Sequence, residues 1–193
     1  MSRKAAAVVE AVKSYRSADG SPRFVRDVTT LSGYRNQYGA QTFIVDATLG
    51  CDLDAFKEYF AQEHDISMPS SCDGLFLWKD PQGNNDKATR LDRDYSGETL
   101  LFVEFKHAPI FKMANGRVDF LHAGQNGGVD GGCYEASIQK RLEDSCIILM
   151  HTTRSDSSGP VLDFKDCKRM NAAFIVFSSG KNRRISDGMN AVR

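Results

Sequence analysis

The chain has 193 residues and a mass of 21.4 kDa, which suits one domain with a proper core, or one domain with an arm. Hydrophobic residues at 41% and charged residues at 26% exclude a chain that is disordered throughout. Lys and Arg total 25 and Asp and Glu total 25, so bulk charge does not grip nucleic acid and any basic groove has to be local.

Arg3-Lys4 followed by Ala5 to Val9 hints at a secretion signal, but Glu10 and Lys13 interrupt the apolar run too early. The spacing predicts a helix over 4–16 instead, with Ala5, Val8, Val9 and Val12 on one stripe. Asp19-Gly20-Ser21-Pro22 ends it as a turn. Residues 33–41, with two glycines and two tyrosines, read as loop, and 42–49 as a strand. Asp52 can cap a helix over 53–64, in which Leu53, Phe56, Tyr59 and Phe60 recur at helical spacing.

Leu75-Phe76-Leu77-Trp78 is too short for a helix and is read as a strand. Residues 80–98 are polar and form a long surface loop. Thr99 to Lys106 is the strongest strand pattern in the chain. An extra hairpin is expected over 108–121, turning at Asn115-Gly116. Glycines crowd 124–132, ahead of a helix from Glu135 to about Met150 that carries Ile138, Leu142, Cys146 and Leu149 on one face. Ala172 to Ser178 has the composition of a buried strand, and a basic tail follows. Together these describe an α/β fold: a mixed central sheet flanked by helices. Residues 1–50 are an N-terminal helix and strand extension packed on the core, 51–180 the core, and 181–193 the tail.

No apolar run reaches membrane-spanning length. The five cysteines, Cys51, Cys72, Cys133, Cys146 and Cys167, are odd in number and lack C-x-x-C spacing, as expected of reduced thiols in a cytoplasmic compartment. The four histidines show no zinc spacing.

One constellation carries chemistry. Glu104 and Lys106 alternate on one face of their strand, while Val103 and Phe105 point into the other layer. If 75–78 and 99–106 pair antiparallel, the start of one strand meets the end of the other, and Asp73 lies beside Glu104. Charge at the end of an apolar strand is costly to bury unless compensated. Two carboxylates, a backbone carbonyl and water would suit Mg²⁺ or Mn²⁺. Lys106 could then orient an attacking water or neutralise developing charge.

Asp73-Gly74-Leu75-Phe76, then Phe102-Val103-Glu104-Phe105-Lys106, then a helix with Ala136 and Gln139, resembles the PD-(D/E)XK nuclease superfamily over roughly residues 53–178. The resemblance implies a restriction-endonuclease-like αβββαβ core and metal-dependent hydrolysis of phosphodiester bonds. It implies catalytic roles for Asp73, Glu104, Lys106 and Gln139. Metal ligands would be Asp73, Glu104, the Phe105 carbonyl and a residue on the preceding helix, named as Glu63, with Glu58 and His64 competing for the role. The partner it implies is nucleic acid, with DNA favoured over RNA; no membrane is expected, and the 1–50 extension could serve as the contact of a homodimer. Cys72 stands where the name-giving proline would be, and the gap between Asp73 and Glu104 is long.

Each signal also has a plainer reading. Asp73-Gly74 taken alone is a turn before a strand. Glu104 and Lys106 could be an ion pair on a solvated face, although the strand is apolar on both sides before them. Glu135, Gln139 and Glu143 form an i, i+4 stripe that could face solvent. The glycine-rich 124–132 lacks the G-K-[ST] ending of a phosphate loop, and Glu135 would repel an anion there. Two other functions compete. Cys72 could be a hydrolase nucleophile with His107 or His122 as base, loosely resembling papain-like peptidases. A non-catalytic binding module on the same scaffold is the third.

Overall fold

The computed structural model describes residues 5–36, 39–41, 44–79, 98–106, 111–114, 117–120, 134–167 and 171–178. The elements in chain order are α1 (Ala5–Lys13), β1 (Val25–Asp27), α2 (Val28–Leu31), β2 (Tyr34–Asn36), β3 (Gly39–Gln41), β4 (Leu49–Asp52), α3 (Leu53–His64) and β5 (Gly74–Lys79). They continue with β6 (Glu98–Lys106), β7 (Phe111–Ala114), β8 (Arg117–Phe120), α4 (Tyr134–His151), α5 (Phe164–Cys167) and β9 (Asn171–Ser178).

The central sheet is five-stranded, open and mixed, in the order β1-β4-β5-β6-β9. Its first four strands pair antiparallel, and β9 runs parallel to β6. A parallel neighbour needs a crossover, and α4 lies in the connection between those two strands.

One face of the sheet carries the main core. Leu75 stands opposite Phe102, and Leu77 opposite Leu100. Leu75, Leu100 and Phe102 join a single cluster with Val8, Val9 and Val12 of α1, Phe56 of α3, and Ile148 and Leu149 of α4. Burying one such side chain contributes about 1.5–3 kcal/mol. The N-terminal helix is therefore part of the core itself, and β1 completes the sheet at one edge. Tyr15, Phe24, Phe56 and Tyr59 close one side of this core, with ring centroids 5.0 to 6.2 Å apart.

On the opposite face the Phe76 ring lies across two glycines. A Cβ on Gly50 would come within 2.3 Å of that ring, and one on Gly74 within 2.7 Å. Both positions exclude a side chain so that the ring can lie against the backbone.

Most long elements match the sequence expectation. The α3 helix starts at its cap, where Asp52 Oδ1 accepts from the Ala55 amide at 2.9 Å. β5, β6, α4 and β9 fall within a residue or so of the expected spans, and β7 and β8 pair as the expected hairpin.

The differences lie in the N-terminal quarter. The strand expected over 42–49 is β4, at 49–52. Residues 44–48 are held in irregular backbone by polar contacts, with Thr48 N donating to Asp46 Oδ1 at 2.7 Å and Thr29 Oγ1 to Asp46 O at 3.0 Å. The loop expected over 33–41 contains the paired strands β2 and β3. The stretches 80–97 and 121–133, the tail beyond 178, and both His107 and His122 lie outside the described residues. Among the described residues no helix is long and apolar enough to cross a membrane.

Candidate functional site

The β5–β6 ladder ends with Gly74 opposite Val103. One step further along that antiparallel register sets Asp73 opposite Glu104, on one face of the sheet. The ladder does not continue by backbone pairing there. The Phe105 amide donates to Asp73 Oδ2 at 2.6 Å, so a side chain replaces a strand at this point. In an extended strand a residue's N–H and C=O point the same way. Phe105 therefore directs its carbonyl toward the Asp73 side as well.

Glu104 continues the face that carries Leu100 and Phe102, and its side chain has 0% exposure. Its Oε1 pairs with the ammonium of Lys106, two residues along the same face, and lies 3.0 Å from Arg141 Nη1 on α4. Both oxygens are buried, and among the described residues neither has a hydrogen-bond partner, the two ion pairs falling on Oε1. A buried carboxylate oxygen in that state costs free energy unless some cation or donor meets it.

Burial and then the nearby charge of Glu104 push the Asp73 carboxyl up to about 7; the Phe105 amide and Lys106 pull the other way. Two carboxyl groups side by side in a partly dry site hold on to a proton for this reason.

The α3 helix reaches the same place by its N-terminus. Leu53 N donates to Asp73 O at 3.2 Å, and Ser71 Oγ to Asp54 Oδ1 at 2.6 Å. The Asp54 charge adds to the upward pressure on Asp73. From α4, Ser145 Oγ accepts from Cys72 N at 2.9 Å, and Arg141 Nη1 donates to Ser71 O at 3.0 Å. The segment 71–73 is thus fixed from both helices before it enters β5.

Asp73, Glu104, Phe105 and Lys106 are brought together as expected. Glu63 and Gln139 are not. Glu63 stands near the far end of α3, about 15 Å along the axis from Leu53 at 1.5 Å per residue. It is exposed, and its carboxylate engages the Tyr59 hydroxyl. Glu58 is exposed too, as is His64, whose ring centroid is 4.5 Å from that of Phe60. The acid that α3 supplies near the pair is Asp54 in its first turn.

Gln139 is exposed on α4 and donates to Glu143 Oε1 at 2.8 Å. Two residues on a helix are about 200° apart, so Arg141 faces the sheet when Gln139 faces away. Asp54 and Arg141 stand at the site without being among the site residues the sequence singles out. For Asp54 the signal was available, because a capped helix start next to a strand start places its first turn at the site. For Arg141 the signal was the apolar stripe of α4, which fixes the inward side without naming the charge on it.

No family model matches this chain, and no curated protein or solved structure matches it.

Among the described residues no three His, Cys, Asp or Glu side chains gather closely enough to hold a metal ion. The site offers a carboxylate pair. Mg²⁺ commonly keeps several waters and takes only one or two carboxylates from the protein, so a pair suffices for that class of cation. The Glu104 oxygens, without a hydrogen-bond partner among the described residues, and the proton-retaining Asp73 are the groups a divalent cation would satisfy.

Cys72 is fully buried, and burial first, then the Glu104 and Asp73 charges, push its thiol up to about 12 against the Ser145 hydroxyl. A thiolate nucleophile needs the opposite environment, open and electropositive.

Proposed function

We propose that this chain is a metal-dependent phosphodiesterase of the nuclease type, built on a restriction-endonuclease-like core. The single observation that carries the reading is the Asp73–Glu104 pair, Glu104 buried and Asp73 half-buried, with Lys106 two residues beyond Glu104 on the same strand face. The antiparallel run β4-β5-β6 followed by a crossover to parallel β9 supports the same reading.

Asp73, Glu104 and the Phe105 carbonyl would hold Mg²⁺ or Mn²⁺. Bound there, such a cation acidifies water and offsets charge on a phosphate oxygen. The remaining work falls to the chain's own groups. The Phe105 amide fixes Asp73 Oδ2 and leaves the other carboxylate oxygen for binding. Lys106 donates from its ammonium to the oxygen of the attacking water and to the phosphate oxygen on which charge grows. Its ion pair with Glu104 keeps that ammonium aimed along the strand face. Nucleic acid is the substrate class, with DNA favoured over RNA, in a cytoplasmic setting.

The test is cleavage of labelled DNA and RNA with Mg²⁺ or Mn²⁺. Activity that a chelator removes, that Glu104→Gln and Lys106→Ala abolish, and that Cys72→Ala leaves intact is the expected result. Activity that survives chelation and dies with Cys72→Ala would point to thiol chemistry. Binding of nucleic acid with no turnover under any of these conditions would point to a binding module.

A further inference from the structure

Arg141 has a different setting from the other cation of the site. Its Nη1 is tied at 3.0 Å to the Ser71 carbonyl and lies 3.0 Å from Glu104 Oε1. Among the described residues its hydrogen bond to Ser71 and its ion pair with Glu104 both run through that one nitrogen, and the side chain remains 29% exposed. One corner of the fork is anchored, and Nη2 and Nε are left to meet solvent or a ligand. An arginine fork is shaped to take two oxygens of a phosphate group.

The charge distribution around Glu104 is uneven. Both oxygens are buried without a hydrogen-bond partner among the described residues, and the ion pairs to Lys106 and Arg141 both fall on Oε1. Two positive groups crowd one oxygen of a carboxylate that the reading above assigns to a divalent cation. A cation on Glu104 would compete with the guanidinium for the same negative charge. The Ser71 carbonyl is neutral and would keep its bond to Nη1, so it can act as the pivot.

We propose that Arg141 is the phosphate-contacting residue of this site, held on Glu104 until a divalent cation takes over that carboxylate. The proposal rests on the two-carboxylate reading of Asp73 and Glu104. Cation and phosphodiester then reinforce one another. The cation frees the fork, and a phosphate held by the fork keeps it off the carboxylate. By linkage, each raises the affinity of the other by the same factor.

The experiment measures two affinities on the full chain, Mn²⁺ alone and short phosphorothioate-linked oligonucleotides of DNA and of RNA, for wild type, Arg141→Gln and Arg141→Lys. Arg141→Gln is expected to bind Mn²⁺ about threefold or more tightly than wild type, because a competitor for Glu104 has gone. The same variant is expected to bind oligonucleotide about tenfold more weakly, as the loss of one charge-assisted hydrogen bond predicts. Mn²⁺ should strengthen oligonucleotide binding in wild type, and that coupling should vanish in Arg141→Gln.

Arg141→Lys keeps the compensating charge and tests the proposal should the glutamine variant fail to fold. It should leave Mn²⁺ affinity close to wild type and still weaken the oligonucleotide, since the fork is lost. A loss confined to DNA or to RNA supports the proposal and identifies the substrate. A purely structural arginine would make Mn²⁺ binding weaker or leave both affinities unchanged, and either result overturns the proposal alone. Failure of wild type to bind Mn²⁺ at all overturns the carboxylate reading and the proposal with it.

Discussion

Asp73 stands beside Glu104 where the β5–β6 ladder ends, and after burial the charge of Glu104 does most to keep a proton on Asp73. Two like groups have been placed opposite one another by strand register, with positive charge from Lys106 on the same strand and from Arg141 on α4. The cost of that placement is what a divalent cation would remove, and it can be measured before any substrate is known.

Glu104→Gln removes the repelling charge while keeping the shape. The Asp73 carboxyl is then expected to titrate well below its present value of about 7. Carboxyl-carbon NMR on the metal-free protein reads this directly, and an unmoved Asp73 would show that burial alone sets its proton affinity. The same variant leaves Lys106 and Arg141 without their shared partner, so a loss of about 1–3 kcal/mol in denaturant stability is expected.

The sign of the pH dependence follows from Asp73. Its carboxyl is raised from 3.8 to about 7 on folding, so between those values the folded chain holds more protons than the unfolded one. The Asp73 contribution therefore favours folding at low pH and is lost as pH rises through about 7. Asp73→Asn should flatten that slope in metal-free thermal melts. Added Mn²⁺ should stabilise wild type more at pH 8 than at pH 5, and a chelator should abolish the gain. A Mn²⁺ effect that does not change with pH would mean that the cation is not displacing this proton.

Cys72 has 0% exposure and a thiol pushed up to about 12. Iodoacetamide at pH 8 should leave it unmodified in the folded protein and alkylate it in denaturant, as mass spectrometry of the Cys72 peptide would show. Cys72→Ala is expected to cost about 1 kcal/mol, a small cavity, without loss of metal binding. Rapid native alkylation would revive the thiol chemistry.

Gly50→Ala drives a methyl group into the Phe76 ring, where 2.3 Å is available. The ring is held between two strands and has to shift or rotate. A loss of about 1–3 kcal/mol is expected from chemical denaturation. Phe76→Leu on the Gly50→Ala background should restore part of it, and an additive double variant would argue that the contact is not the cause.

The carboxylate pair was legible in the sequence because it depends on strand alternation and on one antiparallel register, both set by the apolar pattern of Leu75–Trp78 and Thr99–Lys106. The α3 helix was legible through the Asp52 cap. The third side of the site was not. Which turn of α3 meets Asp73 depends on the backbone bond from Leu53 to Asp73, a long-range contact that no local pattern encodes. The inward turn of α4 is visible in the sequence only as an apolar stripe, which does not separate Arg141 from Gln139, the polar residue two positions away. The displaced strand near residue 45 has a similar cause: side-chain bonds from Thr29 and Asp46 outweigh the β propensity of Ile44 and Val45.

The parallel placement of β9 beside β6 has a temporal consequence. Synthesis runs from the N-terminus, so both acids and Lys106 leave the ribosome before the crossover helix that brings Arg141. A nascent chain that stops short of α4 therefore carries the acidic ribbon with only half of its counter-charge, and acid or a divalent salt should help that ribbon close before the rest of the chain exists.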